Sequence, residues 1–314
     1  MKFEDLQSKY PYLTKARERS VEKIADITRR LPSQSEGVSI VANGSLARAE
    51  VTSQSDFDAY PMYAPGYKRS ALELFESVRA GAGLREFAVD GAFGEPVPAI
   101  TMRKRIGGQG DDNRRFTRRM LLILESAPIG SRRIYDETVK SLVSRYISDD
   151  ITDKQIGRFL LNDIIRFYRQ MCVDFEFKTV EQTKPWGVRY IKLIFSRKLI
   201  YFSGIIMCAE LANRPAQQKR DMLQRMIYMP PIDRLLYILG EDILPALHEY
   251  DNFLSVLDDK GKRDDLSAVE MLRATHSPLF KEVKDSGHRY STKLVDLIRS
   301  RYPVEHPIRE ALIV

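Results

Sequence analysis

Cysteine is scarce: Cys172 and Cys208 are the only two in 314 residues. That excludes a disulfide scaffold, and two thiols with no His pair at ligand spacing exclude a structural zinc site. Both fall in apolar helical segments, where a cysteine behaves as a small buried hydrophobe. This usage fits a reducing compartment, and a cytoplasmic location is expected. Histidine is scarce too, and His248, His276, His288 and His306 share no metal or triad spacing. Long apolar runs are missing: the longest, Leu199 to Ala209, is eleven residues with two polar breaks. A bilayer span needs about 20, so a buried helix is expected there, and no membrane partner. The opening MKFEDLQSKY is polar and mixed in charge, unlike a signal peptide. There is no internal repeat, low-complexity tract or long Lys/Arg run.

What remains is a composition of globular type, 43% hydrophobic and 30% charged, with a formal net charge of +7. The basic balance favours polyanions as partners: nucleotides, nucleic acid or an acidic protein. Residues 13–31 read as an amphipathic helix ended by Pro32. The run GVSIVA (37–42) reads as a buried strand and DFDAYPMY (56–63) as a second. Between them lie NGS and a helical turn, LARAEV. Residues 69–82 read as helix, and FAVDGAF (87–93) and PAITMRKRI (98–106) as weaker strands. From about residue 112 the period changes from 2 to 3.6. The expected fold is therefore α+β: a small mixed sheet flanked by helices over residues 1–110, then an α-helical domain over 111–314.

The stretch NGSLARAEVTSQSDFDAY (43–60) carries the chemistry. On a strand, Asp56 and Asp58 point to one face and Phe57 to the other. Two carboxylates held that close repel unless a cation lies between them. Mg²⁺ or Mn²⁺ prefers such oxygens and takes waters and substrate phosphates as its other ligands. Nucleotidyl and phosphoryl transfer use this arrangement. Gly44 allows close backbone approach to a ligand, and Ser45 offers a hydroxyl and an amide at a helix start. The two halves together supply a phosphate cradle and a metal platform.

The string from Gly44 to Glu50, GSLARAE, followed by Ser55-Asp56-Phe57-Asp58, resembles the signature of the polymerase-β-like nucleotidyltransferases. The variant looks like the branch containing the bacterial PII-protein uridylyltransferases and related nucleotidyltransferases. The segments Ile106–Gly108, Asp112–Ser126, Asn162–Arg169 and Ile191–Lys198 resemble the same branch, so the likeness spans roughly residues 38–210. Two alanines, Ala47 and Ala49, stand where members often have glycine. The resemblance implies an NTP substrate held by Gly44 and Ser45, and metal ions held by Asp56 and Asp58. It also implies a third carboxylate on a later strand; Asp90 is the first candidate and Glu95 the second. If neither serves, the site binds nucleotide without turnover. Arg48 and Glu50 belong to the motif, either as a phosphate contact by Arg48 or as an Arg–Glu brace of the loop.

In RYIKLIFSRKLIYF (189–202) apolar residues fall nearly all round a helix, as in a buried one, yet Arg189, Lys192, Arg197 and Lys198 lie within it. At 100° per residue Arg189, Lys192 and Ser196 share one side, Arg197 lies at its margin and Lys198 is opposite. Either the Arg189–Lys192–Ser196 side holds the triphosphate, as a helical domain packed across the cleft implies, or these cations pair with Asp163, Asp174 or Glu176. Asp111 and Asp112 read as helix caps, Arg118 and Arg119 as surface or cleft residues, and Trp186 as a base platform or packing anchor.

The leading expectation is an Mg²⁺-dependent transferase moving NMP from an NTP to an acceptor hydroxyl, on a protein side chain or an RNA 3′ end, with pyrophosphate released. The alternatives are an inactive NTP-binding regulatory module, a synthase of a signalling nucleotide, and a nucleic-acid binder with an incidental Asp-x-Asp.

Overall fold

The computed structural model describes residues 1–31, 36–81, 92, 93 and 95–313. Strand β1 (Val38–Asn43) is buried along its whole length. It pairs antiparallel with β2 (Asp58–Tyr63) on one side and β4 (Ala127–Ile129) on the other. A two-residue strand, β3 (Val97–Pro98), joins β2 in parallel, giving the order β3-β2-β1-β4. The fold is α+β, with this mixed sheet as its core and helices around it.

The period-two pattern divides the sheet. Val38, Ile40, Ala42, Ala59 and Tyr63 pack with Ile27 of α1 (Pro11–Arg30) and with Leu74 and Val78 of α3 (Lys68–Gly81). Val41, Tyr60 and Met62 face the other way and join the large helical core. On that side lie α4 (Ala99–Arg103), α5 (Asn113–Leu124) and α6 (Arg133–Tyr146). A strand covered on both faces needs no polar alternation, which is why GVSIVA is uniformly apolar. One turn of helix, α2 (Gly44–Ala47), connects β1 towards β2. The rest is helical: α7 (Arg158–Val180), α8 (Trp186–Lys192), α9 (Lys198–Ala209), α10 (Ala216–Ile227), α11 (Pro231–Leu239), α12 (Leu244–Asp258), α13 (Lys260–Ser267), α14 (Pro278–Arg301) and α15 (Pro307–Ala311). Helix α9 is buried at every position from Leu199 except Tyr201. No helix among the described residues is long and apolar enough to cross a bilayer.

Several expected elements move. The strand read at 98–106 shrinks to Val97–Pro98, because Pro98 ends the ladder and serves as the N-cap of α4. Most of the strand read at 87–93 lies outside the described residues, and Ala92 and Phe93 are not in a strand. β4 had no expected counterpart; with three residues and Pro128 at a sheet edge, it is too short to show a period. The sheet thus draws its fourth strand from residues beyond 110. Nor does α1 belong to the sheet alone. Its Leu13 amide donates to Asp251 Oδ1 at 2.7 Å, and Arg17 pairs with Asp233, tying α1 to α12 and α11.

Candidate functional site

The β1–β2 register sets Asn43 opposite Asp58. Immediately after Asn43 the chain turns at Gly44, with φ +65°. A Cβ built at Gly44 would lie 2.6 Å from Asp58 Oδ2. Glycine is thus required twice, by the left-handed backbone and by the carboxylate pressed against it. The two halves of the motif are therefore one contact in space. Asp58 opens β2 and is half-buried, whereas Asp56 lies before the strand, exposed to solvent. The expectation that both aspartates sit on the strand is corrected: pairing begins only at Asp58. Ala49 has φ +59° and so holds a conformation unfavourable to any residue with a Cβ.

A cleft of about 1010 Å³ opens beside this contact. Gly44, Ser45, Arg48, Asp56 and Asp58 line one wall, and Arg189, Lys192, Ser196 and Arg197 another. Glu50, Glu125, Phe93, Phe175, Phe253 and Arg263 also contribute. Every residue predicted to bind nucleotide or metal reaches this one cavity. Asp90 lies outside the described residues. Glu95 is not among the residues that line the cleft: its Oε1 accepts from Arg118 at 3.1 Å and Arg114 at 2.7 Å, and these bonds lower its carboxyl pKa. That corrects its candidacy as the third carboxylate.

A carboxylate the sequence reading missed is Glu125, at the C-terminus of α5 just before β4. Burial, then the negative charges of Glu125 and Asp56, raise the carboxyl pKa of Asp58, against the pull of Arg197 and Arg48. Glu125 is not free: Arg48 Nη1 donates to its Oε2, while Arg48 Nε donates to Glu50 Oε2 at 2.7 Å. Burial opposes the charge on Arg48, but Glu50 and then Glu125 outweigh it and hold the guanidinium firmly protonated. Of the two readings of Arg48, the brace is formed through Nε and Nη1, while the residue also lines the cleft. The brace fixes the loop after α2 and the end of α5 against each other.

The opposite wall is cationic. Between α8 and α9 the helix takes a π-turn, Leu193–Arg197. Hydrogen bonds that skip five residues turn the chain less per residue than an α-helix does, and such turns are frequent at functional sites. The turn brings Arg197 from the margin, where 100° per residue puts it, into the cleft beside Lys192 and Ser196. Burial, then Arg197, Arg263 and Arg48, push the Lys192 ammonium down to about 7, with Asp56 opposing. Burial and then Arg48 lower the pKa of Arg197, against Glu125 and Asp58. Among the described residues no carboxylate forms an ion pair with Lys192 or Arg197. Two of the acids open as partners, Asp163 and Asp174, are occupied elsewhere. Asp163 accepts from Tyr146 at 2.7 Å, Asp174 pairs with Lys178, and Lys198 donates instead to Ser291.

Other singled-out residues are structural. Arg119 is fully buried in a bidentate pair with Asp111, at 2.7 Å for both bonds, so only Asp112 is a helix cap. Arg118 donates to the Ala92 carbonyl at 2.6 Å. Trp186 stacks on Tyr190 with centroids 5.0 Å apart and packs against Phe280, an anchor rather than a cleft residue.

Comparison with protein-family models, with curated proteins and with solved structures found no match for this chain. Whether the wall of aspartates fits a divalent cation is decided by its donor chemistry. Among the described residues no three His, Cys, Asp or Glu side chains converge into a ready-made cage. Asp56 and Asp58 supply two hard oxygen donors, and a cation there offsets the repulsion that raises Asp58. Mg²⁺ bound by one or two carboxylates, with waters and phosphates completing its shell, suits such a pair.

Proposed function

We propose that the chain is a divalent-cation-dependent nucleotidyltransferase of the polymerase-β-like kind, taking an NTP and passing NMP to an acceptor hydroxyl. One observation carries the reading. One cleft brings the carboxylates of Asp56, Asp58 and Glu125 together with Lys192 and Arg197, and among the described residues neither cation forms an ion pair with a carboxylate. Unpaired buried cations are costly, so an arrangement of this kind fits an anionic ligand that completes it. A triphosphate with its metal fulfils both needs.

In this reading Asp56 and Asp58 would hold the cation, which would supply charge neutralisation at the transferred phosphate. Lys192, Arg197 and Arg189 take the phosphate charge. Gly44 keeps the backbone close, and Ser45 offers its hydroxyl. The acceptor oxygen bonds to the α-phosphorus, the bond from that phosphorus to the pyrophosphate oxygen breaks, and the hydroxyl proton passes to solvent water. Glu125 lines the same cleft and its charge raises the pKa of Asp58, but Arg48 holds it and it does not converge with the two aspartates on one point. A second reading, an NTP-binding module without turnover, is favoured by the bond that commits Glu125 to Arg48.

The test is to incubate the protein with each labelled NTP, Mg²⁺ or Mn²⁺, and cell lysate. Pyrophosphate release and label transfer that disappear in Asp56→Asn and Asp58→Asn are expected. NTP binding with neither release nor transfer, and unaffected by Asp56→Asn, would leave only the binding module.

A further inference from the structure

Exposed cations gather on the α4–α5–α6 side of the molecule. Arg103 Nη1 donates to Ser141 Oγ at 3.0 Å, which sets the end of α4 beside the middle of α6. Lys104 and Arg105 run on from there, exposed, and Lys140 and Arg145 are exposed on α6 to either side of Ser141. Arg105 links the group to α5. Its Nη1 and that of Arg115 lie 3.7 Å and 3.6 Å from the point where a Cβ on Gly110 would stand. Among the described residues no carboxylate pairs with Lys104, Arg105, Lys140 or Arg145. Neighbouring acids are committed: Asp136 to Arg132, Glu137 to Arg133 and Asp111 to Arg119.

The patch is continuous with the cleft. Arg115 faces it, while Asn113, Arg114 and Thr117 of the same helix line the cavity. The bonds of Arg114 and Arg118 to Glu95, and of Arg118 to the Ala92 carbonyl, anchor the segment that carries Phe93. Phe93 stacks on Tyr60, with centroids 6.5 Å apart, and lines the cavity too.

We propose that this basic face holds the backbone of a single-stranded nucleic acid whose end crosses the start of α5 into the cleft as the acceptor. The acceptor role rests on the transferase reading; the binding does not. A phosphate backbone needs only charge to bind. A protein partner needs apolar or aromatic anchors, and no large hydrophobic side chain between residues 99 and 146 is exposed. That contrast favours nucleic acid over an acidic protein.

The probe is a short fluorescein-labelled oligoribonucleotide, titrated over a potassium chloride series without NTP or divalent cation. The affinity is expected to fall steeply with salt. Replacing Lys104, Arg105, Lys140 and Arg145 together by glutamine is expected to reduce the log–log slope by about 3, since each single-strand phosphate contact contributes ~0.7. The variant's melting temperature and NTP binding are expected to stay at wild-type values. A slope unchanged by the four substitutions overturns the proposal. So does an oligonucleotide that does not bind while a polyglutamate peptide binds in their place. If the oligonucleotide behaves as expected but no label transfers, the transferase reading fails and the binding face stands.

Discussion

Gly44→Ala separates the cost of an unfavourable backbone from the cost of a displaced carboxylate. At φ +65° the added Cβ imposes a conformational penalty of roughly 1–2 kcal/mol. It also meets Asp58 Oδ2 at 2.6 Å, where ordinary contact starts at 3.4 Å, so the carboxylate must retreat by roughly 0.8 Å. Gly66 supplies the control. Its φ is +90° and a Cβ there meets nothing within 4 Å, so Gly66→Ala bears a backbone penalty without a clash. Both variants are expected to melt a few degrees lower, at no more than about 4 °C per kcal/mol for a chain of this size. Only Gly44→Ala is expected to lose metal-dependent NTP binding, and turnover by as much as about a hundredfold, the scale of a 1 Å misplacement in an active site. The assays are thermal melting in parallel with NTP titration in Mg²⁺ and in EDTA. A Gly44→Ala protein that binds Mg²⁺–NTP like Gly66→Ala refutes the argument that the Gly44–Asp58 contact builds the metal site.

Three further perturbations follow from the charged residues. Arg48→Met leaves Glu50 and Glu125 buried without their shared cation, which costs about 3–5 kcal/mol and is read as a lower urea midpoint. Arg197→Gln removes a cation that no carboxylate matches, so triphosphate affinity is expected to fall roughly tenfold to a hundredfold while nucleoside affinity holds, by calorimetry. Lys192 gives a pH signature: its ammonium titrates near 7 when folded and near 10.5 when unfolded, so the unfolded chain holds more protons in between. Stability therefore rises with pH across that window, the penalty being full below about 7 and gone above 10.5. Lys192→Met is expected to raise the melting temperature more at pH 6 than at pH 9. In the wild type, NTP binding at pH 7 is expected to take up protons, read from the buffer dependence of the binding heat.

How much of this was legible in the sequence depends on the range over which each signal is written. β1, β2 and the long helices announce themselves because their periods are local, and the Gly-Ser and Asp-x-Asp pair because both lie on one hairpin. The same locality sets the limit. β4 is three residues with a proline, and its place beside β1 is decided by the sheet edge it covers, not by any pattern of its own. Glu125 inherits that obscurity. In the sequence it is a helix-terminal glutamate, and only the pairing of the next segment with β1 carries it to Asp58. Glu95 shows the converse, since arginines one turn apart on α5 hold it and it does not line the cleft. Arg48 was undecidable from sequence because its partners lie 2 and 77 residues away, and the distant one comes from the far end of α5. Arg197 was misplaced by geometry, not chemistry: a uniform 100° per residue cannot represent a π-turn, and that turn is what adds a third cation beside Arg189 and Lys192. The sequence holds the chemistry of the site in one short stretch, but its electrostatic balance comes from Glu125, Lys192 and Arg197, which only the assembled fold brings to it.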